Sequence, residues 1–573
     1  MQNLNQSLNE TLQGKYPHLE LSVLSLSQVK KNNEYFRIDS EPFKKSNLSL
    51  KNGVEYIKLS QIATINPSKT ELQNYDENSK VTFLSMQNLG SGFINEREEG
   101  TIKDLKSGYT YFAENDILVA KITPCMEHGK CAIATNLTNK IGFGSTEFNV
   151  FRVKNSRFLQ EFLFCYLHRE NVRKIATDNM VGTSGRQRVP TAFYENLPIP
   201  ILPLDFQREI QKLVQDSHRA LEDSKALYKE AENLLCKSLG LDSNNPLAPL
   251  QNDTHPLAPS AREGESLICT PQREGEQIPY HLKRSEVSQN HYDRDISVST
   301  KPQYDKLDSS LFTKARNDKA INSPSLAEGA RGWVNPHNDI AQKYLHLNIS
   351  IRSLSQSYGK SGRLDSEYYQ SKYDAIERKI RGFSHKKLGD LVTIQKSIEP
   401  GSEAYQDEGI EFVRVANLSK FGISKSDICL SERDFGKDLE KLAPKKETIL
   451  LSKDGSIGIS YCLEEDLECI TSGAILHLKV KDKSEILPQV LSLILNSIVV
   501  KLQAERDSGG SIISHWKISE IENVLIPLLD FKLQEQIALK IQKSFALRKE
   551  SKDLLESAKA KVENTIENEG KNA

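Results

Sequence analysis

Apolar residues recur every seven positions along the chain from about residue 206. Leu213, Ala220, Leu227 and Leu234 form one column, and Val214, Leu221, Tyr228 and Leu235 form a second. Between them run Ser217, Ser224 and Ala231, a column of small side chains. This spacing predicts a long helix with a coiled-coil-like face over about four heptads. A helix of roughly 30 residues spans about 45 Å. A second such helix is expected at 533–566, where Ser544, Ser551 and Ala558 repeat the small column and Leu554 flanks it. Matching small stripes allow close approach, so the economical expectation is that the two helices pair. The expected interface is Leu213, Ser217, Ala220, Ser224, Leu227, Ala231, Ser544, Ser551, Leu554 and Ala558; separate packing of each helix on its own module is the alternative.

Ahead of the first helix the pattern changes. Short β-like runs at 81–86, 116–122 and 147–153 are separated by turn signals at Gly90-Ser91-Gly92, Gly129, Gly142 and Gly144. A helical stretch is expected at 158–176, then a glycine-bearing basic loop, GTSGRQRVP (182–190). The run LPIPILPL (197–204) holds three prolines and reads as an extended lead-in to the helix. The most apolar stretch, 490–500, is interrupted by Ser492, Asn496 and Ser497, too short for a membrane span, and reads as a buried helix.

The pattern then repeats. Gly182, Glu195-Asn196, Pro200, Gln207, Ile210, Ser224-Lys225 and Ala231 recur 327 positions later at Gly509, Glu522-Asn523, Pro527, Gln534, Ile537, Ser551-Lys552 and Ala558. RIDSE (37–41) returns as RLDSE (363–367), and LSQIATI (59–65) as LGDLVTI (388–394). So small a drift in offset implies a duplicated module. The expected organisation is a first module at 1–205, a helix at 206–237, a second module at 341–532 and a helix at 533–573. Between the copies, 238–340 carries PLAP and REGE twice each among polar residues and reads as a low-complexity, disordered insertion.

Composition narrows the function. The 76 basic and 77 acidic residues nearly cancel, so nucleic-acid contact must come from local basic groups rather than a global field. Eight cysteines without a CxxC pair argue against a disulfide framework or a zinc site, and no membrane segment or leader is expected; the chain reads as cytoplasmic. GxxxxGK[ST], GxGxxG, HExxH and GxSxG motifs are absent, as is the Asn-Pro-Pro-aromatic string of amino methyltransferases. A non-catalytic chain without a metal site is expected.

Ordered strings in both copies resemble the specificity subunit of type I restriction-modification systems. In the first copy these are DILVAKITPCMEHGKCAIA (116–134), GFGSTEFNVFRV (142–153), GTSGRQRVP and LPIPILPLDFQREI; in the second, EFVRVANLSKFGI (411–423), TILLSKDGSIGIS (448–460) and VLIPLLDFKLQEQI (524–537). The resemblance implies an α+β fold with two β-rich target-recognition domains separated by two long antiparallel helices in a pseudo-twofold repeat. Each domain would read one half of a bipartite double-stranded DNA target. The helix pair would set the spacer and dock two methyltransferase subunits, with restriction subunits completing the complex. The chain itself would hold no cofactor; S-adenosylmethionine would sit on the methyltransferase partner, and ATP and Mg on the restriction partner. The assembled complex would be an adenine-specific methyltransferase and ATP-dependent endonuclease. A modification-only or type IIB-like system, a self-contained restriction or methylation enzyme, and a coiled-coil scaffold without a DNA role are the rival readings. The second copy has SKDGSIG where the first has AKITPCMEHGK, and lacks GFGSTEF, so the two domains are expected to read different half-sites.

The candidate DNA-binding residues lie in the loops. Arg186, Gln187 and Arg188 sit among Gly, Ser and Thr, where Arg can take guanine O6 and N7 and Gln adenine N6 and N7. A solvated surface turn accounts for them equally well. Ser145, Thr146 and Glu147 suit a polar reading edge or a plain strand-entry turn. Lys121 and Lys453 end equivalent strands, fit for phosphate contact or for solvation. Arg414, Asn417, Ser511 and His515 are the second copy's candidates, although His515 beside Trp516 suits a packed pair as well.

Overall fold

The structure, a computed structural model, describes residues 2–18, 21, 23–30, 54–183, 185–242, 266–268, 351–508 and 515–569. RIDSE at 37–41, Ser511 and nearly all of 238–340 lie outside the described residues. The chain divides into two compact units, residues 1–235 with 531–573, and residues 236–530.

In the first unit, Ile117–Ala120 lies inside a four-stranded antiparallel sheet, ordered Ala63–Ile65, Phe148–Val153, Ile117–Ala120, Cys131–Ile133. All four of its residues are buried because both faces of this sheet are covered. Strand alternation sends Ile117 and Val119 to a helical layer holding Phe162, Leu163 and Tyr166. Leu118 and Ala120 face the opposite way, against Leu84 and Phe112 of a second sheet. That sheet is ordered Glu98–Thr101, Lys80–Leu84, Ile141–Gly144, Thr110–Ala113, with a parallel pairing in its centre. The proline-rich lead-in pairs as a two-stranded ribbon, Pro198–Pro200 against Tyr56–Lys58.

The second unit repeats this order. Val392–Lys396, Ile475–Val480, Ile449–Ser452 and Ser460–Cys462 form the antiparallel sheet. Cys429–Leu430, Ile410–Val413 and Cys469–Thr471 form the second sheet, in which Ile410–Val413 and Cys469–Thr471 pair in parallel. No strand corresponding to Thr110–Ala113 follows. The helix Glu432–Leu442 precedes Ile449–Ser452 in that place, with Phe435 and Leu439 packed against Phe412 and Ile470.

The polar positions common to both copies hold the scaffold. Lys58 Nζ donates to Asn196 Oδ1 at 2.8 Å, and Lys387 Nζ donates to Asn523 Oδ1 at 2.8 Å. The Gln207 amide is fully buried and saturated: Oε1 accepts from the Leu159 N–H, and Nε2 donates to the Arg157 and Leu202 carbonyls. Such complete pairing is what a buried amide requires.

The helical stretch expected at 158–176 is two helices, Gln160–His168 and Glu170–Asp178, broken at Arg169, whose ψ is 143°. No Gly or Pro marks the break. Arg169 is 8% exposed and forks onto Glu563 of the C-terminal helix, with Nη2 donating at 2.6 Å. The second unit breaks likewise at Ser497, between Pro488–Asn496 and Ile498–Ser508.

The long helices span Leu204–Ser238 and Phe531–Glu569, and the first unit contains all of the second and nearly all of the first. They run antiparallel. Ser217 Oγ donates to the Ser551 carbonyl at 2.6 Å, and Ser544 Oγ donates to the Ser224 carbonyl at 2.8 Å. All four serines are 0–1% exposed, and the absence of bulk lets the backbones come this close. Ala231 and Ala558 are fully buried and Ala220 is 6% exposed, whereas Leu213, Leu227 and Leu554 are only half-buried. The deeper column is Val214, Leu221, Tyr228 and Leu235. Lys540 pairs with Glu230 at 2.6 Å, and Lys561 pairs with Glu209.

The C-terminal helix also completes the first module. Leu555, Ala558, Val562 and Ile566 belong to the same core as Phe162 and Tyr166. A Cβ on Gly92 would meet Leu555 Cδ2 at 2.3 Å, so this contact demands glycine. His168, 4% exposed, joins Ser91 Oγ at 3.0 Å and Lys559 Nζ at 3.4 Å.

Burial holds His168 neutral, with its pKa down at about 3, and Lys559 and Arg173 reinforce the shift. A depressed histidine stabilises fully above about pH 6.5 and loses that contribution as pH falls toward its folded value, about 1.4 kcal/mol per pH unit. Burial also lowers His218 in this unit. In the second unit, burial takes His477 to about 4 but raises Asp507 to about 6. Between pH 6.5 and 4.5 the His477 loss, about 3 kcal/mol, is largely offset by about 2 kcal/mol regained from protonating Asp507. The first unit is therefore expected to open before the second at pH 4.5. Hydrogen exchange read by mass spectrometry would show this; equal opening would contradict it.

Candidate nucleic-acid interface

Three backbone hydrogen bonds stitch one rim of the first unit. The Ser145 N–H donates to the Leu84 carbonyl at 3.2 Å, the Lys121 N–H to the Glu147 carbonyl at 2.9 Å, and the Val189 N–H to the Lys121 carbonyl at 2.9 Å. They bring together the ends of two central strands, the turn at 145–147 and the loop at 181–189. In the second unit the Ser472 N–H donates to the Val413 carbonyl, the Lys453 N–H to the Ala474 carbonyl and the Trp516 N–H to the Lys453 carbonyl, each at 2.9 Å. The two backbones are the same frame.

The side chains on that frame differ. In the first unit Arg188 forks onto Glu147, with Nε to Oε2 at 2.8 Å and Nη2 to Oε1 at 2.7 Å. Its Nη1 donates to the Arg186 carbonyl at 3.0 Å, so the guanidinium is committed on all three nitrogens. The Arg188 hydrogen bonds hold the Glu147 carboxyl below the usual carboxylate range, against a smaller upward push from burial. Arg186 is exposed and Gln187 half-buried. Gly182 starts the loop at φ 123°, and a Cβ there would sit 2.9 Å from the Arg186 carbonyl oxygen. Ser145 Oγ accepts from the Glu147 N–H at 3.2 Å, and Thr146 is exposed.

In the second unit His515 stands at the Arg188 position and pairs instead with Asp454, Nδ1 to Oδ1 at 2.8 Å, while Lys453 closes on the other carboxylate oxygen. Burial raises the Asp454 carboxyl, but the Lys453 and His515 hydrogen bonds more than offset it and leave it lowered. Arg414 ends the strand beside Ser472 and reaches Asp427 at 3.1 Å. Asn417 turns inward to its own loop: Oδ1 accepts from the Arg414 N–H at 3.1 Å, and Nδ2 donates to the Lys425 carbonyl at 3.3 Å. Ser511 lies outside the described residues.

The structure thus places Lys121, Ser145, Thr146, Glu147, Arg186, Gln187 and Arg188 along one rim, and Arg414, Lys453 and His515 along the other. Sequence reasoning missed Asp454 and the turn at 472–474, which stands where 145–147 stands. The signal was the 327-residue offset itself, hidden because GFGSTEF has become CITSGAI. Among the described residues no group of three or more His, Cys, Asp or Glu side chains could hold a metal, and no helix is long and apolar enough to cross a membrane.

Comparison with known proteins agrees with the duplication. Residues 51–233 and 380–557 each match the type I restriction modification DNA specificity domain. The EcoAI type I restriction enzyme specificity subunit of Escherichia coli is 25% identical over 525 residues, covering 89% of this chain and 80% of that protein. The EcoEI specificity subunit of the same organism is 34% identical over 192 residues, covering 33% of this chain and 31% of that protein. A solved type I restriction-modification S subunit from M. genitalium aligns with 90% of this chain and 97% of its own at 13% identity, with a TM-score of 0.36, too low to bear on the fold.

Proposed function

The chain belongs to the family of type I restriction-modification DNA specificity subunits, and on that premise we propose that each rim reads one half of a bipartite double-stranded DNA target. The observation that carries this reading is the shared backbone frame with exchanged side chains: Arg188–Glu147 on one rim, His515–Asp454 on the other. Phosphate contacts position a protein and base-edge contacts specify sequence, so a constant frame with variable tips suits two readers of unlike half-sites. Thr146, Arg186 and Gln187 are the first rim's base-edge donors and acceptors. Arg188 and Glu147 brace the loop until DNA competes for them. Arg414, Lys453 and His515 form the second set.

The antiparallel helices act as the spacer. The stretch between the Glu209–Lys561 and Glu230–Lys540 ion pairs covers 21 residues, about 32 Å. Half-sites one DNA turn apart lie roughly 34–36 Å from each other. The same pair docks two methyltransferase subunits, and restriction subunits complete a cytoplasmic complex that methylates adenine and cuts DNA with ATP. The chain contributes recognition and no catalysis; S-adenosylmethionine, ATP and Mg belong to its partners.

Co-expression with its methyltransferase, followed by sequencing of methylated bases, should reveal one split motif. Exchanging residues 55–200 for those of a relative is expected to change one half only; a change in both halves, or in neither, sinks the assignment. Removing one heptad from each long helix keeps the serine pairs in register and should shorten the gap by about 10 Å, some three base pairs, with the half-sites intact.

A further inference from the structure

The RLDSE segment is repeated between the copies, yet neither the rims nor the helix pair uses it. In the second unit it lies against the end of the helix Ile498–Ser508. Arg363 forks onto Asp365, Nε to Oδ1 at 2.8 Å and Nη2 to Oδ2 at 2.7 Å. Its remaining nitrogen, Nη1, donates to the Asp507 carbonyl at 3.3 Å. Carbonyls in the last turn of a helix have no partner within it, and a cation there also meets the negative end of the helix dipole. The Arg363 guanidinium lies 4.6 Å from the centre of the Tyr368 ring, and Arg506 lies 5.3 Å from the same ring. Arg506 in turn donates to Glu377 of the helix Ser371–Arg381 at 3.1 Å.

This knot sits where the chain leaves for the second rim. The helix ends at Ser508, and the chain rejoins the rim at His515 and Trp516. Trp516 is 1% exposed, with its backbone fixed to Lys453. In the first unit the positions 327 earlier are Met180 and Val189, both inside the apolar core. There the loop is anchored by packing. In the second unit the half-buried Asp507 replaces that methionine, and a carboxylate cannot anchor by packing alone.

We propose that Arg363 is a positioning residue for the second recognition rim: by capping the helix end at Asp507, locked between Asp365 and Tyr368, it fixes the point from which the chain leaves the helix ahead of His515. Base readout depends on placing a donor or acceptor to within a fraction of an ångström. A slack helix end therefore costs discrimination rather than DNA affinity as a whole. The proposal rests on the half-site reading above.

The test uses the full chain with its methyltransferase partner. Methylation rates are measured on the target duplex and on duplexes altered in one half at a time. Arg363→Ala is expected to reduce discrimination against second-half substitutions about tenfold or more, leaving first-half discrimination unchanged. Arg363→Lys, which keeps the charge but loses the fork, should recover only part of it. If Arg363→Ala does not fold, Arg363→Lys and Asp365→Asn carry the test with the same expectation. A role in stability alone would lower rates on every duplex equally and leave the ratios untouched. Unchanged second-half ratios, or equal loss at both halves, would overturn the proposal while leaving the half-site reading intact. Absence of any split motif with the wild-type chain would remove both.

Discussion

Deleting residues 555–573 is expected to collapse the module at the opposite end of the chain. The lost segment carries Leu555, Val562 and Ile566, each 0–3% exposed and set in the core of residues 54–235. Full burial of such side chains is worth about 1.5–3 kcal/mol each. The deletion also strips Glu563 from Arg169, a guanidinium 8% exposed, and an abandoned buried charge costs about 3–5 kcal/mol. Together these losses rival the whole stability of a typical domain, about 5–15 kcal/mol. Limited proteolysis should cleave within residues 54–235 of the truncated chain and spare them in the full one. A module that stays protected without its distant helix would show that the helix merely lies against it.

Arg152→Ala should be among the most damaging single substitutions in the first unit. Arg152 forks onto Asp116 through two bonds of 2.7 Å and reaches Glu71 at 2.6 Å, while Tyr111 donates to Glu71 at 3.0 Å. Asp116 is 1% exposed. Without the guanidinium its charge stays buried and unpaired, at a cost of about 3–5 kcal/mol. For a unit of this size that corresponds to a melting temperature lower by about 10 °C. The hydrogen bond from Arg152 is also what chiefly holds the Glu71 carboxyl below its ordinary range; that stabilisation is present above the unfolded carboxyl pKa and lost as pH falls, so the contribution that Glu71 makes to the gap between variant and wild type should narrow in acid. The position 327 later is Lys479, which is exposed, and Lys479→Ala is expected to move stability by no more than about 0.5 kcal/mol. Calorimetry of the two variants side by side gives the contrast; similar shifts would refute it.

Some of this architecture was legible because it is written in local periodicity. Serine and alanine at sevens make a close helix contact the economical expectation, with separate packing of each helix as its rival. The choice between the flanking columns was not legible. Two adjacent apolar columns compete for the seam, and only the tertiary arrangement shows that Val214, Leu221 and Tyr228 are deeply buried while Leu213 stays half-buried at the edge of the module core. The break at Arg169 carries no glycine or proline, and the partner that Arg169 meets there, Glu563, lies 394 residues away. The rims were hidden for a related reason. Their equivalence lives in backbone hydrogen bonds, which leave no mark on side-chain identity, and the Arg188–Glu147 fork joins residues 41 positions apart.

The serine contacts of the helix pair are interchangeable. Moving each residue forward or back by 327 turns the Ser217-to-Ser551 bond into the Ser544-to-Ser224 bond. A surface that maps onto itself in this way is isologous, the kind by which identical subunits join in closed dimers. The seam therefore needs no second, different helix. A gene encoding one module and one helix could have formed it with a twin of its own product, and fusion of two such genes would then have freed the loops of each module to drift while the seam stayed as it was.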